Sequence, residues 1–128
     1  MVFFIDFPEK QITKMEEFNI IEKHNNDVAI LYLEGFLDAH TSVELEKSFE
    51  KLISENRFKI IVNFEKLSYI SSAGLGVFMA YIETIRNNAG DVKLCKMSDK
   101  IYNIFDMLGF PILFEIFKEE AETIEKFN

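Results

Sequence analysis

Two kinds of hydrophobic spacing alternate along the chain. Short apolar runs rich in β-branched residues are separated by stretches in which apolar side chains return every three or four positions. The first pattern predicts buried strands and the second amphipathic helices. Phe18 to His24 and Val28 to Leu33 read as two strands joined by the polar turn Asn25-Asn26-Asp27, which predicts a β-hairpin. Val28 to Leu33 is apolar at every position, as expected of a strand covered on both faces. Thr41 and Glu44 have the spacing of a capping box, and the helix behind them sets Leu45, Phe49, Leu52 and Ile53 on one face, with Asn56 as its stop. Lys59 to Phe64 and Leu67 to Ile70 are buried strand segments.

A second helix over 72–87 carries Leu75, Phe78, Met79, Ile82 and Ile85 and ends at Asn88-Ala89-Gly90, where Gly90 is expected to be left-handed. Val92 to Cys95 is another strand. Ser98 opens a third helix with Ile101, Ile104, Phe105 and Leu108 on one face, stopped by Gly109. Ile112 to Phe117 predicts the last strand, and Glu119, Glu120 and Glu122 open a final helix, where acidic groups suit the positive end of the helix dipole.

The order β-β-α-β-α-β-α-β-α predicts an α/β fold. We expect one domain over 18–128, with a mixed, largely parallel sheet of about five strands, about four helices and right-handed crossovers. Residues 1–17 differ from the rest: Phe3, Phe4, Ile5 and Phe7 lead to Pro8 and a mixed-charge stretch. This N-terminal extension reads either as a loosely attached arm or as an extra edge strand or homodimer contact.

Composition narrows the function. Fourteen basic and 22 acidic residues among 128 give a net charge of −8, which argues against nucleic-acid binding and against docking on an anionic membrane. Fourteen Phe and a hydrophobic content of 48% assign that charge to a folded domain. Apolar runs are too short to span a bilayer, and the first residues lack the form of a signal peptide, so a cytoplasmic protein is expected. A single cysteine, Cys95, excludes an intramolecular disulfide and the usual Cys-based zinc site, and its place in a strand predicts an inert buried thiol. His24 and His40 do not have metal-ligand spacing: His24 flanks a turn and His40 precedes a helix cap. No phosphate loop, dinucleotide fingerprint or nucleophile elbow is present, and neither an enzyme, a metal nor a cofactor is expected.

Two segments carry candidate chemistry. Ser71-Ser72-Ala73-Gly74-Leu75-Gly76 lies between a buried strand and an amphipathic helix. A serine there is a helix cap, and the same place seats an anion, because unused N–H groups and the helix dipole point at it. Glu34 to Thr41 links a strand to the first helix: Gly35 lets the backbone turn, and Asp38 is either a turn stabiliser or a functional acid.

Together the segments resemble the STAS family, the sulphate-transporter and anti-sigma-factor-antagonist domain, over Phe18 to Phe127. Gly35-Phe36-Leu37-Asp38 resembles the family's Gly-x-Leu-Asp. Leu67 to Val77 resembles the segment around its phosphorylated serine, and Ile104 to Phe110 its penultimate helix and glycine stop. The resemblance implies an anti-sigma factor antagonist working by phosphorylation-controlled partner switching. In that scheme the unmodified domain binds an anti-sigma factor serine kinase, a sigma factor is released, phosphorylation undoes the complex, and a PP2C-type phosphatase resets it. The regulatory serine falls on Ser72. The family's preceding Asp is Ser71 here and the following Ser or Thr is Ala73, so Ser71 is the alternative acceptor. Asp38, Ser71, Ser72, Gly74 and Leu75 are the implied partner-binding residues, Asp38 lying near Ser72. The alternative role within the family is a non-phosphorylated scaffold subunit of a lipid-transport ATPase or a stress-sensing complex.

Overall fold

The computed structural model describes residues 17–128, so the expectations placed on 1–16 lie outside the described residues. Strand β1 (Asn19–Asn25) turns at Asn26, which takes the left-handed conformation with φ 57°, into β2 (Val28–Leu37). Next come α1 (Ser42–Ser54), β3 (Lys59–Ile70), α2 (Ser72–Asn87), β4 (Asp91–Cys95) and α3 (Asp99–Met107). A single helical turn α4 (Phe110–Leu113), the short β5 (Ile116–Phe117) and α5 (Glu120–Glu125) complete the domain. The sheet runs β1-β2-β3-β4-β5, antiparallel only between β1 and β2. This is the mixed, mostly parallel sheet that the pattern predicts, with five helices in place of about four.

Because consecutive strands are neighbours, crossovers of one hand bring α1, α2 and α3 to the same face. There Leu45, Phe49, Leu75, Phe78, Ile101 and Phe105 pack on Leu31, Val62, Phe64 and Leu94 in one core. Phe64, Phe78 and Phe105 form its centre, with ring centroids 5.4–6.2 Å apart and mostly edge-to-face, an arrangement that adds to area burial. The opposite face carries a smaller cluster of Val28, Ile30, Ile61 and Cys95, covered by α5 and the residues after it. Val28 to Leu33 is thus covered on both sides, apart from half-buried Tyr32. Among the described residues no helix is long and apolar enough to cross a membrane.

Several local expectations change. The strand expected over Ile112 to Phe117 is confined to Ile116–Phe117, because Ile112 and Leu113 belong to a helical turn: Pro111 suits a first turn, Phe114 N–H donates to Phe110 O at 2.8 Å, and the two rings stack one turn apart. Lys59 to Ile70 is one continuous strand, and β2 continues through Glu34-Gly35-Phe36 to Leu37. Gly35 (φ 93°) therefore serves a register shift within paired strands and not a loop. Met79 is 45% exposed, one step round the helix from buried Phe78, and Leu108 is 57% exposed because α3 ends at Met107. Asn56 stops α1 in the left-handed conformation, as expected. At the end of α2 that conformation belongs to Ala89 (φ 63°), not to Gly90. What requires glycine at 90 is space: a Cβ there would lie 2.0 Å from Phe58 O, the carbonyl that accepts the Asp91 amide.

This contrast gives a paired test. Gly90→Ala must push the start of β4 away from β3 and should cost about 2–3 kcal/mol, as overpacking does. Gly76→Ala, an exposed helical position with nothing within 4 Å of the added Cβ, should gain about 0.5–1 kcal/mol. Urea unfolding followed by circular dichroism measures both.

Candidate functional site

Parallel pairing of β2 with β3 runs to their C-terminal ends, where Leu37 faces Ile70. Both strands then leave the sheet side by side, β2 into the loop carrying Asp38 and β3 into the turn carrying Ser71 and Ser72. A backbone hydrogen bond from Ser71 N–H to Leu37 O, 2.9 Å long, joins the two exits. Gly74 allows the close fit: a Cβ there would sit 2.8 Å from Leu37 Cγ and 3.1 Å from Ile70 Cγ1. The first turn of α2 therefore rests directly on the two strand ends.

Asp38 organises its own loop. Its Oδ1 accepts the N–H groups of His40 (2.9 Å) and Thr41 (3.1 Å), while its carbonyl accepts Ser42 N–H at 2.8 Å. The Thr41 hydroxyl accepts Asp38 N–H at 2.9 Å and donates to Phe36 O at 2.8 Å, with Asp38 Oδ1 at 3.2 Å as an alternative acceptor. The expected capping box at Thr41 is therefore not formed. Thr41 is already in the right-handed helical region, and its hydroxyl is used backwards toward β2. Asp38 stabilises the turn one step earlier. The hydrogen bond from the Thr41 amide, then those from the His40 amide and the Thr41 hydroxyl, hold its carboxyl below the usual range.

The two serines of the second turn are used differently. Ser71 is the N-cap of α2, extended in backbone, and its hydroxyl accepts Gly74 N–H at 3.4 Å. Ser72 is the first helical residue and is exposed; among the described residues its hydroxyl makes no hydrogen bond. The amides of Ser72 and Ala73 belong to the donors that a helix cannot satisfy itself, at the positive end of its dipole. Gly74 and Leu75 are buried and support the turn from below, so the accessible surface is formed by Ser72, Ala73 and Gly76.

Other candidates lie elsewhere. His40 is exposed beside Asp38. His24 sits on β1 with Nε2 2.6 Å from Glu22 Oε2. Cys95 is buried on the far face, and burial pushes its thiol up to about 12. Among the described residues no three His, Cys, Asp or Glu side chains group as a metal site. Sequence reasoning missed the aromatic pair Phe36 and Tyr69, in register just before Leu37 and Ile70, with centroids 5.4 Å apart and Tyr69 40% exposed. It also missed a cavity of about 580 Å³ between β1 and α1, lined by Phe18, Phe36, Asp38, His40 and Glu44 among others. The alternation of Phe36 with Leu37 and Tyr69 with Ile70 carried the aromatic signal. The cavity had none, because it joins residues far apart in the chain.

The family model for the STAS domain matches residues 19–123. An anti-sigma-B factor antagonist of Listeria monocytogenes is 24% identical over 102 residues, 80% of this chain and 90% of that protein. Among solved structures, an anti-sigma factor antagonist from Mycobacterium paratuberculosis matches with a TM-score of 0.79 at 13% identity, covering 87% of this chain and 94% of that one. The Bacillus cell-fate determinant SpoIIAA, in its phosphorylated form, matches with a TM-score of 0.67 at 23% identity, covering 87% and 99%.

Asp38→Ala should cost about 0.5–2 kcal/mol at neutral pH, the usual loss for a carboxylate that satisfies first-turn amides. The folded pKa is lowered, so the charge-dependent part of this stabilisation is present above the unfolded carboxyl value of about 4 and is lost as pH falls through the folded one. Urea titrations of both proteins at stepped pH should show their stability gap narrowing only below pH ~4.

Proposed function

Because the chain belongs to the STAS domain family, we propose that it is an anti-sigma factor antagonist that switches partners through phosphorylation of Ser72. The observation that carries the choice of residue is the division of labour between the serines. Ser71 has its hydroxyl committed to the Gly74 amide, whereas Ser72 presents an exposed hydroxyl at the first turn of α2. A kinase can reach Ser72 without uncapping the helix. The names of the relatives support the antagonist role.

The unmodified domain binds an anti-sigma factor that is a serine kinase, freeing a sigma factor. Transfer of the ATP γ-phosphoryl group to the Ser72 oxygen, with loss of its proton, adds about −1.5 to −2 of charge. Within the domain that charge is tolerated, since it sits at the positive end of a 16-residue helix beside unused amides. At an interface packed around a neutral hydroxyl the same charge meets desolvation, and the partner leaves. A PP2C-type phosphatase restores the hydroxyl. Asp38 contributes by holding its loop with Oδ1; among the described residues Oδ2 makes no hydrogen bond and is available to a donor on the partner. Gly74 and Leu75 act as supports, and the partner touches Ser72, Ala73 and Gly76. The chain is the substrate of an enzyme and not itself one.

Incubation with the anti-sigma factor kinase from its own host and ATP, followed by mass spectrometry, should place phosphate on Ser72. Ser72→Ala should abolish it. Ser71→Ala should remain a substrate while losing about 1 kcal/mol of stability with its cap. Ser72→Asp should bind the kinase at least tenfold more weakly than Ser72→Ala, about 1.4 kcal/mol. Phosphate on Ser71, or equal affinities of the two Ser72 variants, would overturn the assignment. Constitutive binding with no phosphate at all would favour a scaffold subunit.

A further inference from the structure

The two faces of the sheet are covered unequally. The front carries three helices and a continuous core, whereas the back cluster of Val28, Ile30, Ile61 and Cys95 is closed mainly by α5 and the residues following it. Thr123 of α5 is fully buried, and Ile124 and Phe127 pack on the cluster. Yet α5 has only six residues, too few to hold a helix in water without tertiary support. It follows β5, which pairs with β4 through two residues only.

Its polar attachment converges on one carboxylate. Glu120 Oε2 accepts the Tyr32 hydroxyl at 2.9 Å, and Glu120 Oε1 accepts Asn63 Nδ2 at 2.8 Å, so one side chain ties α5 to both β2 and β3. The Thr123 hydroxyl donates to Glu119 O at 2.7 Å, at the start of its own helix, and also meets the Cys95 thiol, a weak partner. The ion pair at the start of the helix, Lys96 to Glu119 at 3.5 Å, joins a half-buried lysine to a largely exposed carboxylate and holds little. At the other end Lys93, almost buried beneath the Phe127 ring at 4.9 Å, keeps Asp91 and Glu115 as partners that do not belong to α5. Lifting the helix therefore strands no charge: Glu120 becomes hydrated, and Lys93 retains its carboxylates.

We propose that α5 and the residues after it form a strap that opens as a unit while the front core stays folded, with Glu120 as its latch. Opening bares Cys95 and the apolar strip of Val28, Ile30 and Ile61, a surface that the closed form does not present. The inference does not depend on the reading of Ser72, which lies at the end of the strands and not on this face. Local opening of this kind belongs to elements with small apolar contact and concentrated ties. Cys95 is a built-in reporter. It is the only cysteine in the chain and is fully buried when closed. Its thiol is also pushed up to about 12 by burial, so it reacts only from an open state.

The test is labelling of Cys95 in the full chain with a thiol-reactive disulfide reagent, across urea concentrations below the unfolding transition. A strap gives labelling faster than the global unfolding equilibrium allows, with a urea dependence well below that of global unfolding. Glu120→Ala, which removes both hydrogen bonds to a charged acceptor, should raise the rate about tenfold or more, and Tyr32→Phe, which removes one and keeps the ring, should raise it severalfold. Ile85→Val, in the front core, weakens the closed and strap-open states equally and should leave the rate unchanged. The proposal is overturned if labelling carries the full urea dependence of global unfolding, if Ile85→Val accelerates it, or if neither latch variant does. Should Glu120→Ala fail to fold, Tyr32→Phe decides the matter alone.

Discussion

The candidate site rests on parallel pairing that continues to the last residue of two neighbouring strands. Leu37 lies opposite Ile70, and the hydrogen bond from the Ser71 amide to Leu37 O carries the pairing one residue past the sheet. The candidate residues then lie within two positions of a fixed point. Asp38 follows Leu37, Ser71 follows Ile70, and Gly74 lets α2 begin directly on both. Were the strands to diverge two residues earlier, the same side chains would lie on two independent loops. Backbone pairing supplies the alignment of the two turns.

The sheet that carries this pairing is covered unequally on its two faces. Sequential strand order sends α1, α2 and α3 to one face, where Phe64, Phe78 and Phe105 form the centre of the larger core. The helix whose first turn carries Ser72 is anchored in this core through Phe78, Ile82 and Ile85. Its exposed first turn is therefore carried on a helix that the core holds in place. The back face, closed by a short helix and one latch carboxylate, is where the molecule can yield.

Much of this was legible in one sequence. Continuous apolar runs and period-3.6 stretches located β1 to β4 and every long helix, because those elements are defined by which residues are buried. Asn56 and Ser98 were readable as helix signals because left-handed backbone and first-turn amides each favour few residue types. The misreadings share a cause. Thr41 has the composition of a cap, yet its hydroxyl is claimed by Phe36 O from the preceding strand. Gly90 has the sequence position of a conformational glycine, yet a neighbouring strand's carbonyl demands the space. The apolar run after Gly109 looked like a strand, yet Phe110 and Phe114 both find the front core one helical turn apart.

The candidate site divides along the same line. Asp38, Ser71 and Ser72 stood out by residue type at strand-to-helix junctions, which is local information carried by the chain. Which serine is occupied by capping, which residues of the Gly74-Leu75-Gly76 run reach the surface, and that Phe36 meets Tyr69 were decided by packing. Sequence alone determined the elements, their order and the short list of chemically competent residues, since these depend on periodicity and side-chain chemistry within a few positions. Only the tertiary structure decided exposure and partnership, since both depend on what residues distant in the chain bring to the same place.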